Sequence, residues 1–202
     1  MNAILWSVGA LLCGSLPFSV LVARFALKTD IRTIGDGNPG ATNVFRAGGG
    51  RWGIVALALD YLKGALPVGI AHFLAAIDGV TLVVVAVAPV VGHAFSPWLG
   101  FRGGKAVATT FGVWSGLTWW YIPTLFGLLL ALGHRVLDSA GWAVVLAFIG
   151  VGVHLALYNP QPALLAVWAA NVALLAWKHR ADLATPPALS PALSRSIRRE
   201  RP

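Results

Sequence analysis

The sequence predicts an all-α integral membrane protein with seven transmembrane helices, an N-terminus outside the cell and a C-terminus in the cytoplasm. Three observations lead to this fold class. Of the 202 residues, 57% are hydrophobic and only 11% are charged, whereas a soluble domain carries about 25% charged residues. The apolar residues are gathered into long runs, and basic residues occur in every second connection between those runs.

The apolar runs form seven segments. They lie at 3–27, 52–77, 79–95, 105–117, 119–132, 141–157 and 162–177. A helix needs about 20 residues to cross the hydrocarbon core of a bilayer. The first two segments are long enough, and the shorter ones are compatible with half-helices or kinked helices.

The charge pattern supports the same topology independently. The connections that contain Lys or Arg are 28–51, 96–105, 133–140 and the residues after 177. The turns without them lie near 78, near 118 and at 158–162. Because basic connections stay on the cytoplasmic side, we expect a membrane domain over residues 1–180 and a basic cytoplasmic tail over 181–202. The tail is rich in Pro, Ala, Ser and Arg, which predicts disorder.

Composition also excludes several classes of protein. The net charge of +8 is distributed between apolar segments, so no nucleic acid partner is expected. A single cysteine, Cys13, excludes an intrachain disulfide. His72, His134 and His154 lack the mutual spacing of metal ligands.

Two glycine-rich connections are the best candidates for chemistry. Residues 30–46 combine glycines, small polar residues and two arginines. Glycine lets backbone N–H groups approach an anion, and arginine offers a bidentate fork to phosphate. Residues 92–109 contain the run Arg-Gly-Gly-Lys at 102–105 just before an apolar segment, where a phosphate can lie at a helix N-terminus. The alternative is that both are flexible basic connections.

Two further groups of ionisable residues lie close to these loops. Asp60 and Lys63 are three positions apart within the second apolar segment, hence on one helix face. They form either part of a functional interior or a structural ion pair. His93 and His179 stand at the predicted cytoplasmic ends of spans, where a histidine can donate to a phosphate or an oxyanion. These residues indicate a site for phosphorylated ligands without specifying a reaction.

At these loops the chain resembles the bacterial acyl-phosphate-dependent glycerol-3-phosphate acyltransferase family. The resemblance covers residues 11–112 closely. The matching stretches are Gly14-Ser15, 37–43 with Arg46, Asp60-Tyr-Leu-Lys-Gly64, Gly92-His93, 101–105 and 107–109. Beyond residue 112 only hydropathy and His179 match.

The resemblance implies a cytoplasm-facing enzyme of the bacterial inner membrane that functions in phospholipid synthesis. It transfers the acyl group of an acyl phosphate to glycerol-3-phosphate and needs no metal or cofactor. Its partners are those substrates, membrane lipids and the soluble enzyme that makes acyl phosphate. The implied catalytic residues are Asp36, Arg46, Lys105 and His179. The implied substrate- or phosphate-binding residues are Asn38, Thr42, Asn43, Asp60, Lys63, Arg102, Gly103, Gly104, Ser139 and Asp182.

Three positions depart from the family pattern. The family has Ser where Asp36 stands, Gly where Ala106 stands and Asn where Asp182 stands. Two of these changes add negative charge to a site meant for anions. Asp36 is accordingly either a general base or a member of a loop-ordering ion pair. Two other functions are considered: a non-catalytic paralogue that binds phosphorylated lipids or a synthesis partner, and a small anion transporter. The transporter fits least, because basic groups at one membrane face leave no polar path across.

Overall fold

The computed structural model describes residues 3–199, with side chains through residue 195, and its regular elements are helices apart from one isolated β-bridge. The helices are α1 (Ala3–Ser15), α2 (Phe18–Val22), α3 (Ala41–Gly48), α4 (Gly50–Gly69), α5 (Gly79–Ala94), α6 (Val107–Thr118), α7 (Tyr121–Val136), α8 (Ala140–Tyr158), α9 (Pro162–Lys178), α10 (Arg180–Leu183) and α11 (Pro191–Arg199). A π-turn continues α2 over Ala23–Leu27, and another continues α4 over Ile70–Leu74. Most of each of the seven predicted apolar segments is helical.

Four helical stretches are long and apolar enough to cross a bilayer, and they occupy 3–27, 50–74, 79–99 and 140–158. The helices Tyr121–Val136 and Pro162–Lys178 are apolar but shorter. Helix α6 has only 12 residues, against the roughly 20 that a straight span requires. The all-helical membrane architecture is confirmed, and the count of seven crossings stays a prediction.

Small residues allow the helices to pack closely around the site. A Cβ added to Gly112 in α6 would lie 2.0 Å from the carbonyl oxygen of Tyr61 in α4, and one on Gly64 would lie 2.4 Å from that of Thr109. Helices α1 and α5 meet in the same way, because a Cβ on Gly14 would lie 2.3 Å from Cα of Pro89. Since lipid offers no hydrophobic drive for helix association, such backbone-to-backbone contacts hold membrane helices together.

The buried ion pair between Asp60 and Lys63 stabilises the break between α1 and α2. Pro17 has no N–H to continue the helix, and the carbonyl of Leu16 is turned to Lys63, whose Nζ donates to it at 2.7 Å. Asp60 lies 2.8 Å from the same Nζ and also accepts a hydrogen bond of 2.5 Å from Ser19 Oγ. The pair therefore fixes the kink of the first segment against α4.

The tail departs from the predicted disorder as far as the structure describes it. Residues 180–183 and 191–199 are helical, and the segment between them pairs with the end of α7 through a bridge between Leu189 and Leu137. Ser190 is 7% exposed and its Oγ donates to the carbonyl of Arg135 at 2.6 Å. The physical reason is that this segment satisfies backbone groups left free where α7 ends: the N–H of Ser190 donates to the carbonyl of Val136, and the carbonyl of Ala188 accepts from the N–H of Asp138. Residues 200–202 lie outside the described residues.

Candidate active site

Three segments separated in sequence meet at one end of the helix bundle. They are the connection 28–40 with α3, the connection 95–106, and residues 179–182 after α9. Lys105 lies at their centre: its Nζ is 3.1 Å from Oδ2 of Asp36 and 3.0 Å from Oδ2 of Asp182. His179 Nδ1 lies 3.1 Å from that same Asp182 oxygen. We call Asp36, Arg46, Lys105, His179 and Asp182 the lysine cluster.

The first loop is shaped around Asp36 and Asn43. Asp36 Oδ1 accepts from the backbone N–H of Asn38 at 3.2 Å and from Nδ2 of Asn43 at 3.0 Å. Asn43 is 1% exposed, and its Oδ1 accepts from Arg46 Nη1 at 3.0 Å. Gly35 has φ +60°, and a Cβ there would lie 2.3 Å from Arg46 Nη1. Glycine favours both the left-handed backbone and the close approach at this position, so the loop can close under the Arg46 guanidinium.

The second loop is held from below by α5 and α9. The N–H of Gly104 donates to the carbonyl of His93 at 3.1 Å, and a Cβ on Gly103 would lie 1.9 Å from that carbonyl oxygen. Lys178 Nζ donates to the carbonyls of Ala94 and Gly103, each at 2.8 Å. Lys105 then projects from a fixed backbone immediately before α6. The sequence analysis did not predict this role of Lys178 in holding the second loop. The one feature that could have indicated it is the position of Lys178 at the end of an apolar helix, next to His179.

The third segment brings Asp182 against α8. Asp182 lies in α10, one turn after His179, and Gly141 at the start of α8 makes room for it. A Cβ on Gly141 would lie 2.4 Å from Cβ of Asp182. His179 is 3% exposed, and its Nε2 is buried without a hydrogen-bond partner among the described residues. An unpartnered buried acceptor or donor is costly.

Electrostatics keep the cluster ionised but balanced. Partial burial raises the pKa of Asp36, but hydrogen bonds from Lys105, the Asn38 N–H and Asn43 outweigh it and leave the pKa below the ordinary value. The pKa of Asp182 is lowered on balance in the same way, against burial, by His179 and Lys105. Burial lowers the pKa of Lys105, yet its hydrogen bonds to the two carboxylates raise it overall. Two carboxylates therefore face two cations, Lys105 and Arg46.

His179 is neutral at physiological pH. Burial is the largest effect on its pKa and lowers it, although the hydrogen bond with Asp182 raises it in part. A neutral imidazole beside an ionised carboxylate places its proton on the nitrogen that faces the carboxylate, here Nδ1. Nε2 then carries a lone pair and can accept a hydrogen bond from a substrate hydroxyl.

A second, buried polar cluster lies behind the loops. Thr109 Oγ1 donates to the backbone carbonyl of Asp60 at 2.9 Å and lies 3.2 Å from His93 Nδ1. His93 Nδ1 is 3.8 Å from Oδ1 of Asp60, and a Cβ on Gly104 would lie 2.3 Å from its Nε2. Asp60 and Lys63 are thus brought near the second loop through His93, but they make no contact with Lys105 in the described structure.

Three further predicted site residues, Thr42, Arg102 and Ser139, make no side-chain hydrogen bond or ion pair with the lysine cluster among the described residues. Thr42 and Arg102 are exposed, and the side chain of Arg102 has no ion pair among the described residues. Ser139 accepts a 3.4 Å hydrogen bond from the N–H of Trp142 and so caps α8. Within residues 3–199 no three His, Cys, Asp or Glu side chains are grouped so as to hold a metal ion.

The comparisons with known proteins agree on one family. The sequence model of the family described as glycerol-3-phosphate acyltransferase matches residues 4–185. The glycerol-3-phosphate acyltransferase of Anaeromyxobacter sp. (strain K) is 37% identical over 187 residues, which cover 91% of this chain and 92% of the relative. Glycerol-3-phosphate acyltransferase 1 of Thermotoga maritima is 33% identical and covers 85% of this chain and 91% of its own.

Solved structures lead to the same assignment. The fold matches the crystal structure of the integral membrane glycerol 3-phosphate acyltransferase PlsY in its glycerol 3-phosphate form, with a TM-score of 0.82, 32% identity and 90% coverage of each chain. The lysophosphatidic acid form of PlsY gives a TM-score of 0.79 at 30% identity, again with 90% of each chain covered. The chain belongs to the glycerol-3-phosphate acyltransferase family.

Proposed function

We propose that the protein transfers an acyl group from an acyl phosphate to the hydroxyl of glycerol-3-phosphate, giving lysophosphatidic acid and inorganic phosphate for membrane phospholipid synthesis. The observation that best supports this proposal is that Lys105, Arg46 and the unpartnered Nε2 of His179 lie together at one end of the bundle. Both substrates carry a phosphate, and two cations stand beside the place where they would meet.

Because an acyl phosphate is already activated, the protein mainly has to position the two substrates and stabilise the charge on phosphate. The hydroxyl oxygen attacks the acyl carbon, a C–O bond forms, and the bond from the acyl carbon to the phosphate oxygen breaks. The hydroxyl proton passes by way of His179 Nε2 to the phosphate, which leaves as hydrogen phosphate. Lys105 and Arg46 stabilise phosphate charge as it develops, and His179 Nε2 accepts a hydrogen bond from the attacking hydroxyl. No step in this scheme calls for a metal ion or a cofactor.

Asp36 fits the ion-pair interpretation better than that of a general base. Its oxygens already accept from Lys105, Asn43 and the N–H of Asn38. Each of these contacts lowers the basicity of the carboxylate. We therefore assign Asp36, with Asp182, to holding Lys105 before substrate enters, and the substrate phosphates must displace these carboxylates from the ammonium.

The assay that tests the function uses purified protein with a long-chain acyl phosphate. We expect phosphate release to require glycerol-3-phosphate and to match lysophosphatidic acid one for one. Phosphate release at the same rate with and without glycerol-3-phosphate would contradict acyl transfer. Binding of both phosphates without turnover would instead identify a non-catalytic paralogue.

We further propose seven crossings with the lysine cluster at the cytoplasmic face of the bacterial inner membrane, based on the alternating basic connections. After Cys13→Ser, single cysteines at Thr42 and Asp78 test this, because both positions are exposed. An impermeant thiol reagent applied to whole cells should label position 78 alone. Labelling at position 42 would reverse the orientation. The soluble enzyme that makes acyl phosphate is the proposed supplier of the donor.

A further inference from the structure

A separate pocket lies beside the break between α1 and α2. It has a volume of about 320 Å³, within the range of small-molecule sites. It is lined by Leu16, Pro17, Val20, Leu21, Arg24, Arg32, Trp98 and Leu99. None of these residues belongs to the lysine cluster, and no side chain used in the proposed transfer lines this pocket. One wall is apolar and one end is basic.

The charge at the basic end sums to a single positive charge. Arg32 is bound by Asp30, with Nη2 2.7 Å from Oδ2 and Nε 2.9 Å from Oδ1. Asp30 stays ionised, because the hydrogen bonds from Arg32 lower its pKa to about 2. Arg24 is exposed and has no ion pair among the described side chains. An entering anion therefore meets one uncompensated guanidinium beside a second that is already paired.

The apolar wall lies where an acyl chain would run. Leu16, Pro17, Val20 and Leu21 follow one another along the kinked first segment, which is apolar and long enough to span a membrane. Trp98 forms the opposite side; it is 64% exposed, and its Nε1 donates to Ser15 Oγ at 3.0 Å. An anchored tryptophan with an exposed ring, next to arginines at the end of a span, is typical of the headgroup level of a bilayer.

We propose that this pocket binds an anionic phospholipid, with the headgroup phosphate on Arg24 and the first part of an acyl chain along the Leu16–Leu21 wall. The charge selects the class of lipid. A phosphodiester such as that of phosphatidylglycerol carries one negative charge and balances the single net positive charge. A phosphomonoester carries closer to two and would leave charge uncompensated beside apolar surface. Free phosphate would leave the apolar wall uncovered. The proposal does not depend on acyl transfer.

Lipid retention by the whole purified protein tests this. Protein in nanodiscs with phosphatidylglycerol and phosphatidylcholine is released into a mass spectrometer, and the bound lipid is counted for the parent and for Arg24→Gln. We expect about a tenfold loss of phosphatidylglycerol, the order expected for one charge-assisted hydrogen bond, and no change in phosphatidylcholine. Arg51→Gln is the matched control. Arg51 is a basic residue at the start of α4 that lies over the Trp52 ring, outside the pocket.

A second variant tests directly whether the net charge of the pocket selects the lipid. Asp30→Asn frees Arg32, so the net charge of the pocket rises by one. In nanodiscs that also contain phosphatidic acid, retention should move from phosphatidylglycerol towards phosphatidic acid. Equal phosphatidylglycerol retention in Arg24→Gln and Arg51→Gln would overturn the site. So would displacement of the lipid by millimolar inorganic phosphate, or an unchanged lipid preference in Asp30→Asn. Acyl transfer in these variants is measured separately, so failure of the proposed activity would not be mistaken for failure of this site.

Discussion

Lys105 Nζ lies 3.1 Å from Oδ2 of Asp36, and this contact joins the two glycine-rich loops. The family resemblance implies serine at position 36, and the ammonium that we propose to bind a substrate phosphate is here met by a carboxylate. Asp182 does the same from the third segment, at 3.0 Å. Because both contacts are partly exposed to solvent, they weaken rather than prevent the binding of an anion.

Removal of the Asp36 charge should strengthen acceptor binding. Unit charges about 5 Å apart interact by about 3 kcal/mol at an effective dielectric near 20, and solvent exposure reduces this further. We expect Asp36→Asn, which keeps size and an acceptor oxygen, to lower KM for glycerol-3-phosphate about 3- to 10-fold. Steady-state kinetics at fixed acyl phosphate would measure it. A fall in kcat of about 10²-fold at constant KM would instead make Asp36 the general base.

Asp182 should set the acidic limb of the activity profile through His179. The pKa of His179 is lowered by burial and partly restored by the hydrogen bond with Asp182. In Asp182→Asn that restoring effect is lost, so the pKa falls further and the neutral imidazole persists to lower pH. We expect the acidic limb of kcat/KM to shift to lower pH in the variant. Ionisation of the substrate phosphates is common to both proteins and cancels in the comparison. A limb displaced to higher pH would contradict the coupling of His179 to Asp182.

The same ionisations give the sign of the pH dependence of stability. Between the lowered pKa of folded His179 and its ordinary value of 6.5, the unfolded chain binds more protons, so stability falls as pH drops through that window. Asp36 and Asp182, whose pKa values are lowered, contribute stability above 3.8 that is lost as pH falls further. Lys105, whose pKa is raised, contributes below 10.5 and loses that contribution above it.

Ala106 is a strained residue whose replacement should stabilise the protein. It precedes α6 with φ +62°, and a left-handed conformation costs a residue with Cβ about 1–2 kcal/mol. Glycine removes that cost but adds unfolded-chain entropy of about 0.4–1 kcal/mol. We therefore expect Ala106→Gly to gain between about 0 and 1.6 kcal/mol in a thermal unfolding assay. Ala108→Gly, inside the same helix, should lose about 1 kcal/mol. Equal losses of stability in Ala106→Gly and Ala108→Gly would show that the backbone of Ala106 is not strained.

Hydropathy and charge predicted much of the fold. The segments 141–157 and 162–177 reappear almost unchanged as Ala140–Tyr158 and Pro162–Lys178. The short helix Ala41–Gly48, which carries Asn43 and Arg46, was not predicted, because its glycines and polar residues read as a loop. The anchored tail was likewise missed, since pairing between Leu189 and Leu137 depends on where α7 ends in space.

The composition of the site was predictable, but its internal contacts were not. Lys105, Arg46 and His179 were candidates from residue type and resemblance. One oxygen of Asp182 contacts both Lys105 and His179. This arrangement depends on how three separate segments pack, which the sequence alone does not reveal. The capping contact of Ser139 is equally local and invisible to a search for phosphate-binding residues.

The most direct test of the account is the rate of lysophosphatidic acid formation by Lys105→Ala, compared with the parent and with Arg51→Ala. Loss of a charge-assisted hydrogen bond to phosphate costs about 1.5–3 kcal/mol, or roughly 10- to 150-fold in kcat/KM. We predict a loss of that order for Lys105→Ala in folded, membrane-inserted protein, with Arg51→Ala within about twofold of the parent. Activity of Lys105→Ala equal to that of Arg51→Ala would contradict the assignment of the lysine cluster as the site of acyl transfer.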